Sequence, residues 1–269
     1  MNNLLLIDGH SIMNRAFYGI PMLTNHEGIH TNAIYGFINI MLKAMEDEKS
    51  DHIAVAFDLK APTFRHKMYE MYKGTRKPMP AELHEQVPVI KEILASMNIP
   101  VITLEGYEAD DILGTVGKKA QSLGYNVVIL SGDRDLLQLA DEHIKIRLPK
   151  TIKGRTEIEN YYPEDVMEKY MATPSEFIDL KALMGDSSDN IPGVPGIGEK
   201  TAMSIISKYH SIENAYEHVE ELTPAKAKNS LRENYDLAKL SKVLATIETD
   251  APVEFNIEDS AIGNIFTKE

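Results

Sequence analysis

Val127-Val128-Ile129-Leu130-Ser131-Gly132-Asp133-Arg134-Asp135 is an unbroken apolar run that stops at a serine and a glycine and is followed at once by two acids. A short apolar stretch closed by turn residues fits a strand buried on both faces, as in a parallel sheet. Residues 4–7, 53–57 and 100–104 have the same character, and longer helix-like stretches separate the four runs. Strands that alternate with helices predict an α/β core with a mainly parallel central sheet flanked by helices. Asp8 follows residues 4–7, and Asp58 follows residues 53–57, just as Asp133 and Asp135 follow residues 127–130. Ligands of open α/β sheets bind at the carboxyl ends of the strands, so acids far apart in the chain are expected to meet at one rim.

The rest of the sequence narrows the chemistry. With 269 residues, 43% of them hydrophobic, the chain can bury a full core. From about residue 174 the strand signal gives way to helices and Gly/Pro-rich turns, with a long helical pattern over 224–248. The expected division is an α/β core over 1–172, a helical subdomain over 173–251, and a tail or linker over 252–269 without a core contribution. No apolar run is long enough to span a bilayer and the start lacks a signal-peptide plan, so a cytoplasmic protein is expected. Without cysteine, disulfides and thiolate sites are excluded, and any metal must sit on oxygen or imidazole. The methionines are read as core filling.

A net charge of −13 argues against a nucleic-acid partner until its distribution is considered. Residues 60–80 hold six basic residues, Lys60, Arg65, Lys67, Lys73, Arg76 and Lys77, against the single acid Glu70, with Phe64, Tyr69 and Tyr72 among them. Cations interleaved with aromatics suit single-stranded nucleic acid, although the i, i+3 tyrosines could equally pack inward.

Three acidic motifs carry most of the signal. Glu108-Ala109-Asp110-Asp111 opens a helix, where acids also suit the helix dipole. Asp133 and Asp135 could be ordinary turn aspartates, and the acids of Gly185-Asp186-Ser187-Ser188-Asp189 could cap a helix. Taken with Asp8 and Asp58 they form an all-oxygen set suited to Mg²⁺ or Mn²⁺, and two such ions suit hydrolysis of a phosphodiester. Gly193-Val194-Pro195-Gly196-Ile197-Gly198-Glu199-Lys200 nearly spells a P-loop, but Glu199 holds the lysine position and no strand precedes it. It reads instead as a turn between helices whose amides, near Gly196 and Gly198, grip a DNA backbone with help from Lys200.

On these motifs, and on Leu4-Leu5-Leu6-Ile7-Asp8-Gly9 and Arg15-Ala16-Phe17-Tyr18, the sequence closely resembles the N-terminal 5′-nuclease domain of bacterial DNA polymerases I, within the flap endonuclease family. The resemblance implies a structure-selective 5′ to 3′ exonuclease and flap endonuclease that removes RNA primers and repairs DNA in a bacterial nucleoid. It places Asp8, Asp58, Glu108, Asp110 and Asp111 in the catalytic metal set, and Asp133, Asp135, Asp186 and Asp189 in a second set. Asp58, Asp111, Lys73 and Arg76 are the expected catalytic residues. The resemblance makes the 1–172 core a nuclease core with a helical arch at about 60–98; Arg15, Phe17 and Tyr18 are expected near the branch point, and Arg65, Tyr72 and Lys77 with Lys73 and Arg76 on the strand threaded through the arch. The glycine-rich turn becomes a helix-hairpin-helix holding duplex DNA, with K⁺ as a possible ion there. A monomer followed by polymerase domains is implied. The competing readings are a non-catalytic DNA-junction binder and a phosphatase with an aspartate nucleophile.

Overall fold

The computed structural model describes residues 2–152 and 155–264. Its sheet is built from β1 (Asn3–Asp8), β2 (His52–Ala56), β3 (Val101–Ile102), β4 (Asn126–Leu130), β5 (Ile144–Ile152) and β6 (Arg155–Tyr161), in the order β3-β2-β1-β4-β5-β6. All neighbours are parallel except β5 and β6. The alternation of β1 explains how it is buried on both sides. Leu4 and Leu6 enter one core with Val127 and Ile129, whereas Leu5 and Ile7 enter the other with Val128 and Leu130. The second core is covered by α1 (Gly9–Gly19), α2 (Asn32–Glu48) and α5 (Gln86–Ser96), the first by α6 (Ala109–Ser122) and the helices that follow the sheet.

The chain leaves β1 for β2 and β3 on one side, then returns to place β4 on the other. Such a reversal opens a crevice between the two central strands at their carboxyl ends. Register makes the rim level: Asp8 is paired with Ala56 and Ile7 with Leu130. Asp8, Asp58 and the 131–135 turn therefore come to the same edge.

The helical part consists of α7 (Pro163–Tyr170), α8 (Pro174–Met184), α9 (Glu199–Tyr209), α10 (Ile212–Glu217), α11 (Ala225–Glu233) and α12 (Tyr235–Ala245). Helix α8 starts at a capping box, in which the Thr173 hydroxyl accepts from the Glu176 amide while the Glu176 carboxylate accepts from the Thr173 amide. It packs against α9, α12 and the 3-10 turn at Arg134–Leu139, which brings the helical part onto the strand ends.

Several expectations need correction. The stretch expected as an arch over about 60–98 is divided. Residues 64–80 hold only the short α3 (Phe64–Met68) and turns, but α4 (Ala81–His84) and α5 turn Leu83, Ile90 and Leu94 into the core. The helical pattern over 224–248 breaks at Asn234 into α11 and α12. The tail does contribute to the core, since Ile257 and Ser260 are buried and Ile262 donates to the Asp51 carbonyl; residues 265–269 of that expected segment lie outside the described residues. Strands β5 and β6 were not expected. Ile144-Lys145-Ile146-Arg147-Leu148 does alternate apolar and charged residues as a half-buried strand does, and the charges of Lys145 and Arg147 are held by Asp47 and Glu48 at the end of α2.

Candidate metal and nucleic-acid site

Each acid at the rim is positioned by a local backbone rule. Asp8 caps α1: one oxygen accepts from the Ser11 amide at 3.0 Å and the other from the Ser131 hydroxyl at 2.7 Å, tying β1 to β4. Asp58 accepts from the Ala109 amide at 2.8 Å, so that acid orients the start of α6. Asp133 caps the next turn by accepting from the Asp135 amide at 2.9 Å. Asp186 and Asp189 sit in a loop pinched shut where Gly185 and Gly193 lie back to back. Both have positive φ, and a side chain on Gly185 would meet the Ile191 carbonyl at 2.6 Å.

The electrostatics shows an unbalanced cluster. Burial pushes the Asp8 carboxyl up to about 6, against the hydrogen bonds from Ser11 and Ser131, and the charges of Asp58 and Asp133 push the same way. Asp110 is driven well above the ordinary carboxyl range by burial and by Asp133 and Asp8. No hydrogen-bond donor or ion-pair partner holds its carboxylate among the described residues. Burial and then Asp133 push Asp135 up to about 7 despite the pull of Lys181. Burial works to raise Asp58 too, but the neighbouring His10 ring and the Ala109 amide overcome it and bring Asp58 down to about 2. His10 Nδ1 lies 3.3 Å from Asp58 Oδ2.

The chain's own cations meet part of this charge. Lys73 Nζ is 2.7 Å from Glu108 Oε1 and 3.7 Å from Asp189 Oδ2, and Arg76 pairs with Asp189. The segment is fixed there by its backbone, because Lys73 adopts a left-handed conformation and its amide donates to the Asp189 carbonyl at 2.8 Å. Lys181 on α8 lies 2.7 Å from Asp135 and also pairs with Asp186. Drawn onto these partners, no three carboxylates or imidazoles among the described residues stand at a common point as a ready metal cage.

Asp8, Asp58, Asp110 and Asp133 are close enough to act on one another's charge, whereas Asp135 with Asp186 and Glu108 with Asp189 are each bridged by a lysine. Asp111, expected in the metal set and as a catalytic residue, belongs elsewhere. It is 0% exposed, and its oxygens accept four hydrogen bonds, two from Arg65 at 2.8 Å and one each from the Glu108 and Glu248 amides at 2.9 Å. Those donors fill the lone pairs of a carboxylate, leaving none for a cation. Arg65, expected on DNA, is 2% exposed and also holds the Leu244 and Thr246 carbonyls. Tyr72, expected to stack on bases, is 3% exposed with its hydroxyl 3.0 Å from Glu108.

Among the other expected DNA contacts, Phe17 is buried, Arg15 is half-buried, Tyr18 is 73% exposed, and Lys77, Gly196, Gly198 and Lys200 lie at the surface. A cavity of about 400 Å³ reaches Asp133, Asp135, Lys181, Asp186 and Ser188. Another of about 590 Å³ reaches His10, Asp58, Lys60, Arg76 and Lys91. Lys181, Ser131 and His10 were not foreseen. A lysine five residues before Asp186 was the only sequence signal for Lys181.

The donors available for a cofactor are carboxylate oxygens, which match a hard divalent ion, and the donorless Asp110 among three other acids is the position that most needs one. Among the described residues, no helix is long and apolar enough to cross a membrane.

Comparison with known proteins follows the same division of the chain. Residues 3–171 match the family model "5′-3′ exonuclease, N-terminal resolvase-like domain", and residues 172–268 match "5′-3′ exonuclease, C-terminal SAM fold". DNA polymerase I of Bacillus subtilis is 50% identical over 254 residues, and that of Bacillus caldotenax 49% identical over 258 residues. These alignments cover 94% and 96% of this chain but 29% of each relative, so the chain spans about 29% of their length. Among solved structures, T5 5′-exonuclease with bound zinc superposes with a TM-score of 0.74 at 24% identity, covering 92% of this chain and 90% of that one. The catalytic core of Rad2 in complex with DNA gives 0.60 at 16% identity, covering 95% and 81%. At these identities the likeness is one of fold, and it is the two models, spanning nearly the whole sequence between them, that establish that the chain belongs to the 5′-3′ exonuclease family.

Proposed function

We propose that the rim is a divalent-metal-dependent 5′-nuclease centre that hydrolyses a DNA phosphodiester at a 5′ flap or 5′ end, and that it acts in RNA primer removal and repair as part of a longer polymerase. The observation that carries this is Asp110, a carboxylate without any donor among the described residues, set among Asp8, Asp58 and Asp133 in a family of nucleases. Asp8, Asp58, Glu108 and Asp110 are the residues that would hold one cation, and Asp133, Asp135, Asp186 and Asp189 another, with Mg²⁺ or Mn²⁺ the fitting ions. When bound, a pair of hard cations supplies the charge that activates a water and steadies the leaving oxygen.

The protein groups do the positioning. Ser131 and Ser11 hold the Asp8 carboxylate toward the crevice, and Asp58 is aimed by the Ala109 amide. Lys73 and Arg76 stand beside Glu108 and Asp189, where they would meet the non-bridging oxygens of an entering phosphate. Exposed Tyr18 would touch the branch point, while Lys77 would follow the single strand. The turn at Gly196, Gly198 and Lys200 would grip duplex downstream, with K⁺ as its fitting ion, in a monomeric protein. T5 D15 flap endonuclease has been crystallised with DNA and metal ions on a similar fold.

Asp110→Asn tests the reading. It should abolish cutting of flap DNA in Mg²⁺ while flap affinity in EDTA stays within about threefold, a free-energy change below about 1 kcal/mol. Cutting at an undiminished rate would remove Asp110 from the centre.

A further inference from the structure

Lys181 is 5% exposed, an unusual place for an ammonium group. It projects from the last turn of α8, and its Nζ bridges Asp135 on the turn after β4 and Asp186 on the loop after α8. The bridge thus joins the sheet rim to the helical part and faces the cavity of about 400 Å³ that Asp133 and Ser188 also line. A buried charge costs several kcal/mol unless it is paired, and the same holds for each of the two carboxylates. Three charges whose sum is −1 are therefore tolerated where two bare carboxylates would not be.

We propose that Lys181 is a resident cation of the second carboxylate set, so that a divalent ion binds there by displacing the lysine ammonium group. This rests on the reading of Asp133, Asp135, Asp186 and Asp189 as metal ligands. Displacement is sterically open, because the flexible four-carbon stem of lysine can swing its head into the adjoining cavity. The acids around Asp110 are occupied only at their edge, where Lys73 pairs with Glu108: among the described residues Asp110 has no ion-pair partner, and Asp8 is held only by hydroxyl and amide donors. The two sets must then fill in order. The set containing Asp110 takes its ion first, and the second set takes one only at concentrations that overcome the exchange with Lys181. The lysine thereby grades the affinity of the second set while keeping the loop and rim together without it.

The test uses Mn²⁺ alone as probe, with binding followed by electron paramagnetic resonance of the free ion. The wild-type chain should show a tighter and a weaker class of site. In Lys181→Met, which keeps the stem and loses the charge, the weaker class should tighten by at least about tenfold and the tighter class stay within about twofold. The melting temperature of the variant should fall in EDTA and recover in excess Mn²⁺. An unchanged or weakened second class would overturn the proposal, since that is what a lysine serving only to align its neighbours would give. No second Mn²⁺ in either protein would instead sink the reading of the second set, and the proposal with it.

A measurement on the wild-type chain guards against a variant that does not fold. Acetylation of Lys181 by acetic anhydride, followed by peptide mass spectrometry, should rise severalfold on saturation with Mn²⁺, with exposed Lys200 as the unchanging reference. Equal protection of Lys181 with and without Mn²⁺ would show that the ammonium never leaves, and would overturn the proposal.

Discussion

Replacing Arg65 by alanine should unfold the protein at markedly lower denaturant rather than detach it from DNA. The guanidinium makes two 2.8 Å bonds to Asp111, one of 3.0 Å to the Leu244 carbonyl and one of 2.6 Å to the Thr246 carbonyl. Without it, Asp111 keeps only the Glu108 and Glu248 amides in a site closed to water, and two carbonyls lose their donor. Removing one partner of a buried ion pair costs about 3–5 kcal/mol. On total stabilities of roughly 5–15 kcal/mol that is a large share. For a chain of this size it corresponds to a fall of roughly 10 °C in melting temperature. Arg65→Met with Asp111→Leu removes both charges and leaves no orphaned ion, but it leaves the two carbonyls and the Glu108 and Glu248 amides unpaired, so it should recover only the share of the loss due to the unpaired carboxylate. The assay is urea unfolding in EDTA, with flap binding measured alongside under native conditions. A loss below about 1 kcal/mol for Arg65→Ala, together with weakened binding, would refute the reasoning and return Arg65 to the DNA surface.

Other outcomes follow from the same geometry. Ser131→Ala removes a buried hydroxyl that donates to Asp8 and accepts from the Asp133 amide, and should cost about 1–3 kcal/mol in thermal unfolding. Gly185→Ala drives a Cβ into the Ile191 carbonyl at a positive φ, and should abolish the weaker class of Mn²⁺ binding, that of the second set, in a titration. Lys73→Ala should slow flap cutting more than it weakens binding, as comparison of kcat with flap affinity will show; the reverse would argue against a role at the reacting phosphate. The pH dependence has a definite sign. Asp8 and Asp135 are raised to about 6 and about 7, so their contribution to folding without metal is complete below the unfolded carboxyl range and disappears as pH rises through those values. Asp58 and Asp186, lowered to about 2, contribute above that range and lose their effect only as pH falls toward 2. The urea midpoint in EDTA should therefore fall between about pH 4.5 and about pH 7.5, and saturating Mg²⁺ should abolish the fall.

The positions legible in the sequence were those fixed by strand ends. An apolar run followed by an acid is enough to put Asp8, Asp58 and Asp133 at the same rim, because parallel strands leave their carboxyl ends level. Asp110 and Asp111 show where this stops. Neighbours on a helix point about 100° apart, so one of the two faces the crevice and the other faces Arg65. The sequence places the acids at the start of α6 but does not say which direction each takes. Arg65 looked like one more cation in a basic stripe, since its partners Asp111 and Leu244 are 46 and 179 residues away. Lys181 lay in a plainly helical stretch, and nothing local to it announced that Asp135 would be opposite. Strand β5 was legible in the alternation of Ile144, Ile146 and Leu148 with Lys145 and Arg147; what the sequence does not show is that α2 brings Asp47 and Glu48 against those two cations.

The most direct test of the nuclease reading is to incubate the purified chain with a 5′-labelled flap DNA in EDTA, in Mg²⁺ and in Mn²⁺, and to follow release of the 5′ label. A short 5′ product cut near the junction, formed with either ion and absent in EDTA, is the expected result. Intact DNA with both ions, or the same product in EDTA, would contradict a metal-dependent 5′-nuclease centre at this rim.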